Sequence, residues 1–197
     1  MIRSLISGLS GLSGSNDLLN FVQITSSFGT SAIKGIAYGN GLFVAVGDSG
    51  ILATSPNGIN WTLRTSSFGT NNIIAITYAN SLFVAVGASG MIATSSNGTN
   101  WTQRTTPFGA YFISGITYGN GLFVAGGANG GLITSPTGIT WTQRTSSFGT
   151  NTIKGIAYAN SLFVAVGASG KIATSPDGIT WTQGTSFGTS AINEITY

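Results

Sequence analysis

Ser-Pro-Asn-Gly-Ile-Asn-Trp, at residues 55–61, is a seven-residue segment that the chain repeats three more times. The later copies read Ser-Ser-Asn-Gly-Thr-Asn-Trp at 95–101, Ser-Pro-Thr-Gly-Ile-Thr-Trp at 135–141 and Ser-Pro-Asp-Gly-Ile-Thr-Trp at 175–181. Their tryptophans follow one another at intervals of 40 residues: Trp61, Trp101, Trp141 and Trp181. A fixed period of this length is typical of a repeat protein, so the fold must be worked out from one unit.

Each 40-residue unit contains four short segments with strand character, separated by turns rich in Gly and Asn. In the fourth unit we place strand A at 153–158, strand B at 162–167, strand C at 171–174 and the start of strand D at 181–183. Strand B reads Leu-Phe-Val-Ala-Val-Gly, which is apolar on both faces and is therefore expected to be buried on both. Four short strands per unit are typical of one propeller blade. The sequence predicts an all-β fold, a β-propeller of four-stranded blades.

Two other repeat architectures have periods that deserve comparison. A helical array of the HEAT type also repeats about every 40 residues, but the Gly, Thr and β-branched content of these units argues strongly against helices. A β-solenoid is the weaker competitor, because its rungs are usually shorter and give no reason for one Trp in every 40 residues.

The strands do not add up to whole blades. A D-like segment at 21–24, where Phe21 replaces the Trp, precedes the first unit, and an A-like segment begins near Ile192, yet only four B and four C strands exist. The sequence thus predicts four full blades plus a split partial blade. Either the ring has five blades and a two-stranded closing blade, or this is the front part of a longer propeller. We favour the second, because an open sheet edge inside a blade is a liability.

Residues 1–19 lie outside the repeat and are predicted to form a short helical segment followed by a linker. Apolar side chains recur there at spacings of three and four, which indicates an amphipathic helix: Ile2, Leu5, Ile6, Leu9 and Leu12. A helix this short needs a surface to pack on. It could cap the repeat domain at 20–197, dock into another protein or into copies of the chain in a homo-oligomer, or be a cleaved signal peptide.

The composition excludes several classes of protein. Hydrophobic residues make up 42% of the chain and charged residues only 6%, which fits neither a disordered protein nor, without a long apolar run, a membrane span. Seven basic residues are too sparse for the clustered positive charge of a nucleic-acid footprint. The absence of Cys fits an extracellular or virion protein that is stable without disulfides.

The seven-residue segment resembles the Asp-box of the bacterial neuraminidase (BNR) repeat, Ser-x-Asp-Gly-x-Thr-Trp, which is complete at 175–181. The resemblance extends over about residues 20–197, with Asn57, Asn97 and Thr137 in place of the Asp. BNR repeats occur in sialidases, sortilin-type receptors, photosystem II assembly factors and many phage and bacterial propellers. The resemblance implies a propeller whose Asp-box turns face away from the active site, and a non-catalytic phage or bacterial type.

The motif has a structural role that its residues explain. An Asp or Asn at the third position can accept backbone N–H bonds across the turn, the Gly at the fourth supplies positive φ, and the Trp at the seventh is an apolar ring for the space between sheets. We therefore assign a structural role to the Asp-box residues Asn57, Trp61, Asn97, Trp101, Trp141, Asp177 and Trp181.

The residues that catalysis would need are scarce. The resemblance to sialidases implies an arginine triad, a Tyr with a Glu partner and an acid/base Asp, but the chain has only four acids: Asp17, Asp48, Asp177 and Glu194. Glycoside hydrolysis generally uses two carboxylates around one bond, and nothing in the sequence places Asp48 beside Glu194. The chain has no His or Cys to serve as base, nucleophile or metal ligand. We therefore expect that the protein is not an enzyme and that it binds no cofactor and no metal ion.

Positions where the repeat breaks are the better candidates for ligand binding. Tyr111 and Phe112 replace Asn71-Asn72, Asn129 replaces Ser89, and Asp48 replaces Ala88. An exposed aromatic pair beside amides suits sugar stacking and hydrogen bonding, although the pair could also pack on the N-terminal segment or on a partner. Three repeat-equivalent arginines complete the candidate set, as a ring and not as a convergent clamp: Arg64, Arg104 and Arg144.

The sequence therefore predicts a non-enzymatic binding propeller. It would recognise glycans or a cell-surface receptor as part of a phage tail fibre, another virion appendage or a surface protein, attached to other proteins through residues 1–19. The alternative is a purely structural assembly or decoration protein that has no small ligand.

Overall fold

The computed structural model describes residues 28–196 as four antiparallel sheets of four strands each. Blade 1 contains β1 Ile33–Gly39, β2 Leu42–Gly47, β3 Leu52–Ser55 and β4 Thr62–Arg64, and blade 2 contains β5 Ile73–Ala79, β6 Leu82–Gly87, β7 Ile92–Ser95 and β8 Thr102–Arg104. Blade 3 contains β9 Ile113–Gly119, β10 Leu122–Gly127, β11 Leu132–Ser135 and β12 Thr142–Arg144, and blade 4 contains β13 Ile153–Ala159, β14 Leu162–Gly167, β15 Ile172–Ser175 and β16 Thr182–Gln183. The strands of each blade pair in chain order.

The predicted strands A to D of each unit are confirmed, with shifts of one residue at some ends. Strand C of blade 4 begins at Ile172 and not at Lys171, for example. Between β2 and β3, and at the equivalent place in each blade, the chain makes a short 3-10 turn: Asp48–Gly50, Ala88–Gly90, Ala128–Gly130 and Ala168–Gly170. The registers repeat from blade to blade, with Phe43, Phe83, Phe123 and Phe163 each opposite a Tyr of the first strand.

The hydrophobic core lies between blades and not within one sheet. One cluster joins Val44 and Val46 of blade 1 to Phe83 and Ala85 of blade 2, and two more clusters fill the next two spaces in the same way. Both faces of the second strand therefore have to be apolar, and β6 is almost completely buried, as its sequence predicted. Burying one large apolar side chain stabilises the folded state by about 1.5–3 kcal/mol. The inter-blade spaces are therefore the main source of stability.

The four seven-residue turns, which we call Asp-box turns after the motif that they resemble, have the local structure that the sequence predicted. Asn57 Oδ1 accepts hydrogen bonds from the backbone N–H groups of Ile59 and Asn60 at 2.9 and 3.0 Å, and Gly58 has a φ of 73°. The indole Nε1 of Trp61 donates to the Gly58 carbonyl at 3.1 Å. Ser55 Oγ accepts from Gly58 N at 2.9 Å. All of these contacts lie within one turn, which supports a structural role for the motif.

Two predictions about the ends of the chain have different outcomes. The A-like segment near Ile192 forms no strand, and no strand of a fifth blade pairs with it among residues 28–196. It does run beside blade 4, where Ile192 N donates to the Gly167 carbonyl at 3.0 Å. The D-like segment at 21–24 and the helix predicted within 1–19 lie outside the described residues.

Candidate functional site

One end of the blades is built from two kinds of connection. The loops that lead from one blade into the next meet the 3-10 turns there, and Ser66 Oγ donates to the Gly50 carbonyl at 2.6 Å while Thr106 Oγ1 donates to the Gly90 carbonyl at 3.0 Å. We call this end the loop face. The Asp-box turns lie at the opposite ends of the strands, because β3 and its equivalents run from the 3-10 turn to the Asp-box.

In two of the three inter-blade loops of the loop face, an asparagine side chain holds the loop in place. Asn71 Nδ2 donates to the Phe68 carbonyl at 3.2 Å, and Asn71 Oδ1 accepts from Ser89 Oγ at 3.3 Å. Asn151 makes the same pair of bonds with Phe148 and Ser169, at 3.2 and 3.1 Å. The side-chain amide thus ties the loop both to itself and to the neighbouring 3-10 turn.

Tyr111 takes the asparagine position in the remaining loop, and Asn129 takes the serine position in the 3-10 turn beside it. Tyr111 is 55% exposed, and with Asn129, Pro107 and Gln143 it lines a cleft of about 300 Å³. Asn129 keeps the left-handed backbone of Ser89, with a φ of 55° at both residues. The turn therefore has the same shape as its equivalents, and its Asn129 lines one cleft with Tyr111. The structure brings these two predicted site residues together.

Phe112 lies apart from Tyr111, at a second cleft. It is 42% exposed and lines a cavity of about 500 Å³ among the innermost strands, together with Lys34, Lys154 and Glu194. Lys154 Nζ donates to Asn193 Oδ1 at 2.8 Å. The expected aromatic pair is thus divided between two clefts, because neighbouring residues at the start of a strand point to opposite sides.

The lysines of this central cleft were missed at the level of sequence. Lys34 and Lys154 occupy the second position of a first strand, and Ile74 and Ser114, their equivalents in blades 2 and 3, line the same cavity. Their shared position in the repeat could have indicated from the sequence that these residues surround one space. It places two of the few charges of the chain around one central space.

Asp48 is held by an ion pair and does not join the aromatic candidates. Its Oδ2 lies 3.4 Å from Lys34 Nζ, while Oδ1 is buried and has no hydrogen-bond partner among the described residues. Glu194 lines the central cleft and Asp48 does not, so the two carboxylates are not arranged around one ligand space.

Each of the three arginines forms a side-chain hydrogen bond within its own blade. The Nε atoms of Arg64, Arg104 and Arg144 donate to Thr54, Thr94 and Thr134 Oγ1 at 3.0, 2.8 and 2.9 Å. Each arginine ends the fourth strand of its blade, and Arg64 and Arg104 line separate clefts. This agrees with a ring of separate guanidinium groups.

The remaining acid of the described residues, Asp177, belongs to an Asp-box turn. Hydrogen bonds from the backbone of Thr180 and Ile179, and a further one from Ser175, lower the pKa of the Asp177 carboxyl group below its ordinary value. Within residues 28–196, no group of three or more His, Cys, Asp or Glu side chains could hold a metal ion.

This lowered pKa predicts a pH dependence that one substitution should remove. A carboxylate whose pKa is lower in the folded state stabilises the fold above its unfolded pKa, and this contribution is lost as the pH falls below about 4. We expect Asp177→Asn to reduce the acid-induced loss of stability, since Asn57 makes the same backbone bonds without a charge. Urea midpoints at neutral and acidic pH measure the effect. An equal acid loss in both proteins would contradict it.

No helix among the described residues is long and apolar enough to cross a membrane. No protein-family model matches the chain, and no curated protein matches it, so the BNR resemblance stays a prediction. Solved structures do match. YCF48 bound to D1 peptide is 17% identical with a TM-score of 0.64, over 82% of this chain and 56% of that one. YCF48 from Cyanidioschyzon merolae is 16% identical with a TM-score of 0.64, over 85% and 60%.

Virginiamycin B lyase from Staphylococcus aureus is 12% identical with a TM-score of 0.68, over 77% of this chain and 54% of that one. The chain therefore spans little more than half the length of these neighbours. Together with the four four-stranded sheets, the matches confirm the predicted β-propeller fold. The neighbours include an enzyme and a protein bound to a peptide, so the likeness shows the fold and does not decide between catalysis and binding.

Proposed function

We propose that the protein is a non-enzymatic binding propeller that recognises glycans, or a cell-surface receptor, through the loop face. In this proposal it is a phage tail-fibre or other virion or surface component, extracellular and homo-oligomeric. Residues 1–19, which lie outside the described residues, would attach it to other proteins of the particle. The low charge and the absence of Cys support an extracellular setting.

The observation that carries the proposal is the replacement of a loop-fastening Asn by an exposed Tyr. At the Asn71 and Asn151 positions the amide makes two hydrogen bonds, each of which contributes about 0.5–1.5 kcal/mol. The Tyr111 side chain cannot make these two amide hydrogen bonds, and more than half of its surface is exposed to solvent. The fold does not benefit from this exchange, whereas an aromatic ring beside the amides of Asn129 and Gln143 suits stacking and hydrogen bonding to a sugar.

A protein ligand is the second candidate, and a specific comparison favours it. The neighbour YCF48 was solved bound to D1 peptide. The central cleft of this chain, with Phe112, Lys34 and Lys154, is large enough for a peptide side chain and carries ammonium groups. A receptor segment with acidic residues would match that chemistry. The purely structural alternative predicts no ligand in either cleft.

The non-enzymatic part of the proposal rests on the arrangement of the acids. Asp48 is paired with Lys34, Asp177 belongs to a turn far from the loop face, and Glu194 stands alone in the central cleft. General acid/base chemistry on a glycosidic bond needs two facing carboxyl groups. Incubation of the protein with the glycans that it binds tests this, and release of shortened products would contradict it.

Glycan-array binding by the full chain tests the ligand. We expect binding that Tyr111→Ala weakens by about five- to thirtyfold, since a stacked ring and its hydrogen bonds contribute about 1–2 kcal/mol. Phe112→Ala tests the central cleft, and loss of peptide or receptor binding in that variant alone would favour the protein ligand. No binding above background for any glycan on a broad array would count against the glycan proposal.

Restoring the repeat should separate stability from binding. In the double variant Tyr111→Asn, Asn129→Ser, the loop regains the two hydrogen bonds seen at Asn71 and Ser89. We therefore expect its free energy of unfolding to rise by about 1–2 kcal/mol while glycan binding is lost. Urea denaturation and the array measure the two effects. A variant that binds as the parent does would remove Tyr111 and Asn129 from the site.

A further inference from the structure

Blade 1 carries an apolar face that the described residues leave uncovered. Ile33, Ile36 and Tyr38 of β1 are 52%, 57% and 58% exposed. Their equivalents in the later blades are less exposed: Ile73, Ile113 and Ile153 are completely buried, Ile156 is 7% exposed, and Ile76, Ile116, Tyr78, Tyr118 and Tyr158 are partly buried. The same side chains are thus less exposed where another blade of the described residues precedes them.

The surface that covers this face in the later blades is the second strand of the preceding blade. A Cβ atom placed on Gly98 of blade 2 would meet Leu42 and Val44 of blade 1, and one on Gly138 of blade 3 would meet Leu82 and Val84 of blade 2. A Cβ atom on Gly58 of blade 1 would meet only Phe43, of the same blade. Within residues 28–196, blade 1 therefore has the contact surface of an inner blade without a neighbour on it.

Blade 4 carries the matching surface at the other end. Leu162 is 37% exposed, and Val164 and Ile172 are partly exposed, whereas Val44, Val84 and Val124 are completely buried by the blade that follows each of them. Leu162 and Val164 are the repeat equivalents of Leu42 and Val44, the residues that receive the next blade. Both halves of the inter-blade interface are present in the chain, one at each end.

We propose that these two faces bind each other between copies of the chain, so that blade 1 of one copy packs on blade 4 of another. Within the chain, consecutive blades pack on each other at three interfaces. The contact between copies would have the same geometry, with the same kinds of side chain on both sides. It is a heterologous, head-to-tail contact, which closes into a ring or adds copies in a filament. The inference specifies the homo-oligomer proposed above and rests on that part of the proposed function alone.

Residues 187–196 cover part of the blade 4 surface on which the second copy would bind. Ile195 lies against Gly155, as Ile76 lies against Gly35 between blades 1 and 2, but Phe187 is 72% exposed and the segment forms no strand. The incoming copy would bring Lys34 with its paired carboxylate of Asp48, and so no net charge, to the place of Asn193. A complete blade buries more apolar surface than this single segment and is expected to displace it.

Complementation between two face variants tests the proposal on the full chain. Ile36→Asp places a charge in the apolar face of blade 1, and Leu162→Asp places one in the apolar face of blade 4. Both residues are exposed enough to accept a polar side chain in the folded monomer. Ile139→Asp removes a side chain of an inner blade that is 48% exposed, and serves as the matched control. Light scattering after size exclusion gives the mass, and circular dichroism checks that each variant is folded.

We expect the parent and Ile139→Asp to form oligomers of equal mass, and each face variant alone to be a monomer. An equimolar mixture of the two face variants should form a one-to-one dimer, since one of the two possible contacts stays intact. Deletion of residues 187–196 should strengthen the association of the parent. A monomeric parent, a mixture that stays monomeric, or equal disruption by Ile139→Asp would overturn the proposal. Glycan binding by the monomeric variants is a separate readout, so the two proposals can fail independently.

Discussion

Substitution of Phe148 by Ala is expected to cost about 3–5 kcal/mol of the free energy of unfolding. Phe148 is 1% exposed in the space between blades 3 and 4, in a cluster with Leu132, Phe163 and Ala165. Removal of its ring would leave a cavity between two sheets that can move together only by straining their own strands. A loss of this size is a large share of the stability of a typical domain, and urea denaturation measures it.

The repeat supplies a matched control for this prediction. Phe187 occupies the same position in the last unit but is 72% exposed, because no blade of the described residues packs on it. We expect Phe187→Ala to change the stability of the isolated chain by less than about 0.5 kcal/mol. Equal costs for the two substitutions would mean that the ring matters for its own loop and not for the space between blades.

These two phenylalanines also show what the repeat could and could not predict. Its period, turns and strand pattern led to four blades of four strands, because each unit has the same local chemistry and the same neighbours on either side. Exposure at the ends was not predictable in this way, since Phe148 and Phe187 have nearly identical local sequences. Their difference comes from the presence or absence of a neighbouring blade, which is a property of the whole array.

The candidate site was predictable to a similar extent. A break in the repeat directed attention to Tyr111 and Asn129, and the two residues line one cleft in the structure. The same argument grouped Phe112 and Asp48 with them, but Phe112 faces the central cleft and Asp48 is paired with Lys34. Departure from a repeat reveals that a position is unusual, whereas the side to which it points depends on strand geometry. The separation of the clefts therefore had to come from the structure.

Gly127→Ala is expected to destabilise the fold by about 3 kcal/mol, at the upper end of the range for overpacked sites, and to weaken binding at the loop face. The φ of Gly127 is −170°, an extended conformation that any residue adopts, so the reason for Gly is contact. A Cβ atom there would overlap the carbonyl oxygen of Phe112 and approach Ile113 Cα to 2.8 Å. That carbonyl also accepts the hydrogen bond of Ala128 N at 3.0 Å.

The clash cannot be relieved by rotation of a side chain, because both partners are backbone atoms. Either the 3-10 turn that carries Asn129 must move away from the loop that carries Tyr111 and Phe112, or β9 must shift within blade 3. The first movement opens the cleft of the proposed site, so stability and glycan binding should fall together. Gly184→Ala is the control: the nearest atom to its Cβ would be the Ile172 carbonyl oxygen at 3.8 Å, and we expect stability within about 1 kcal/mol of the parent. If Gly127→Ala unfolds at the same urea concentration as Gly184→Ala, the close approach of turn and loop does not fix the loop face.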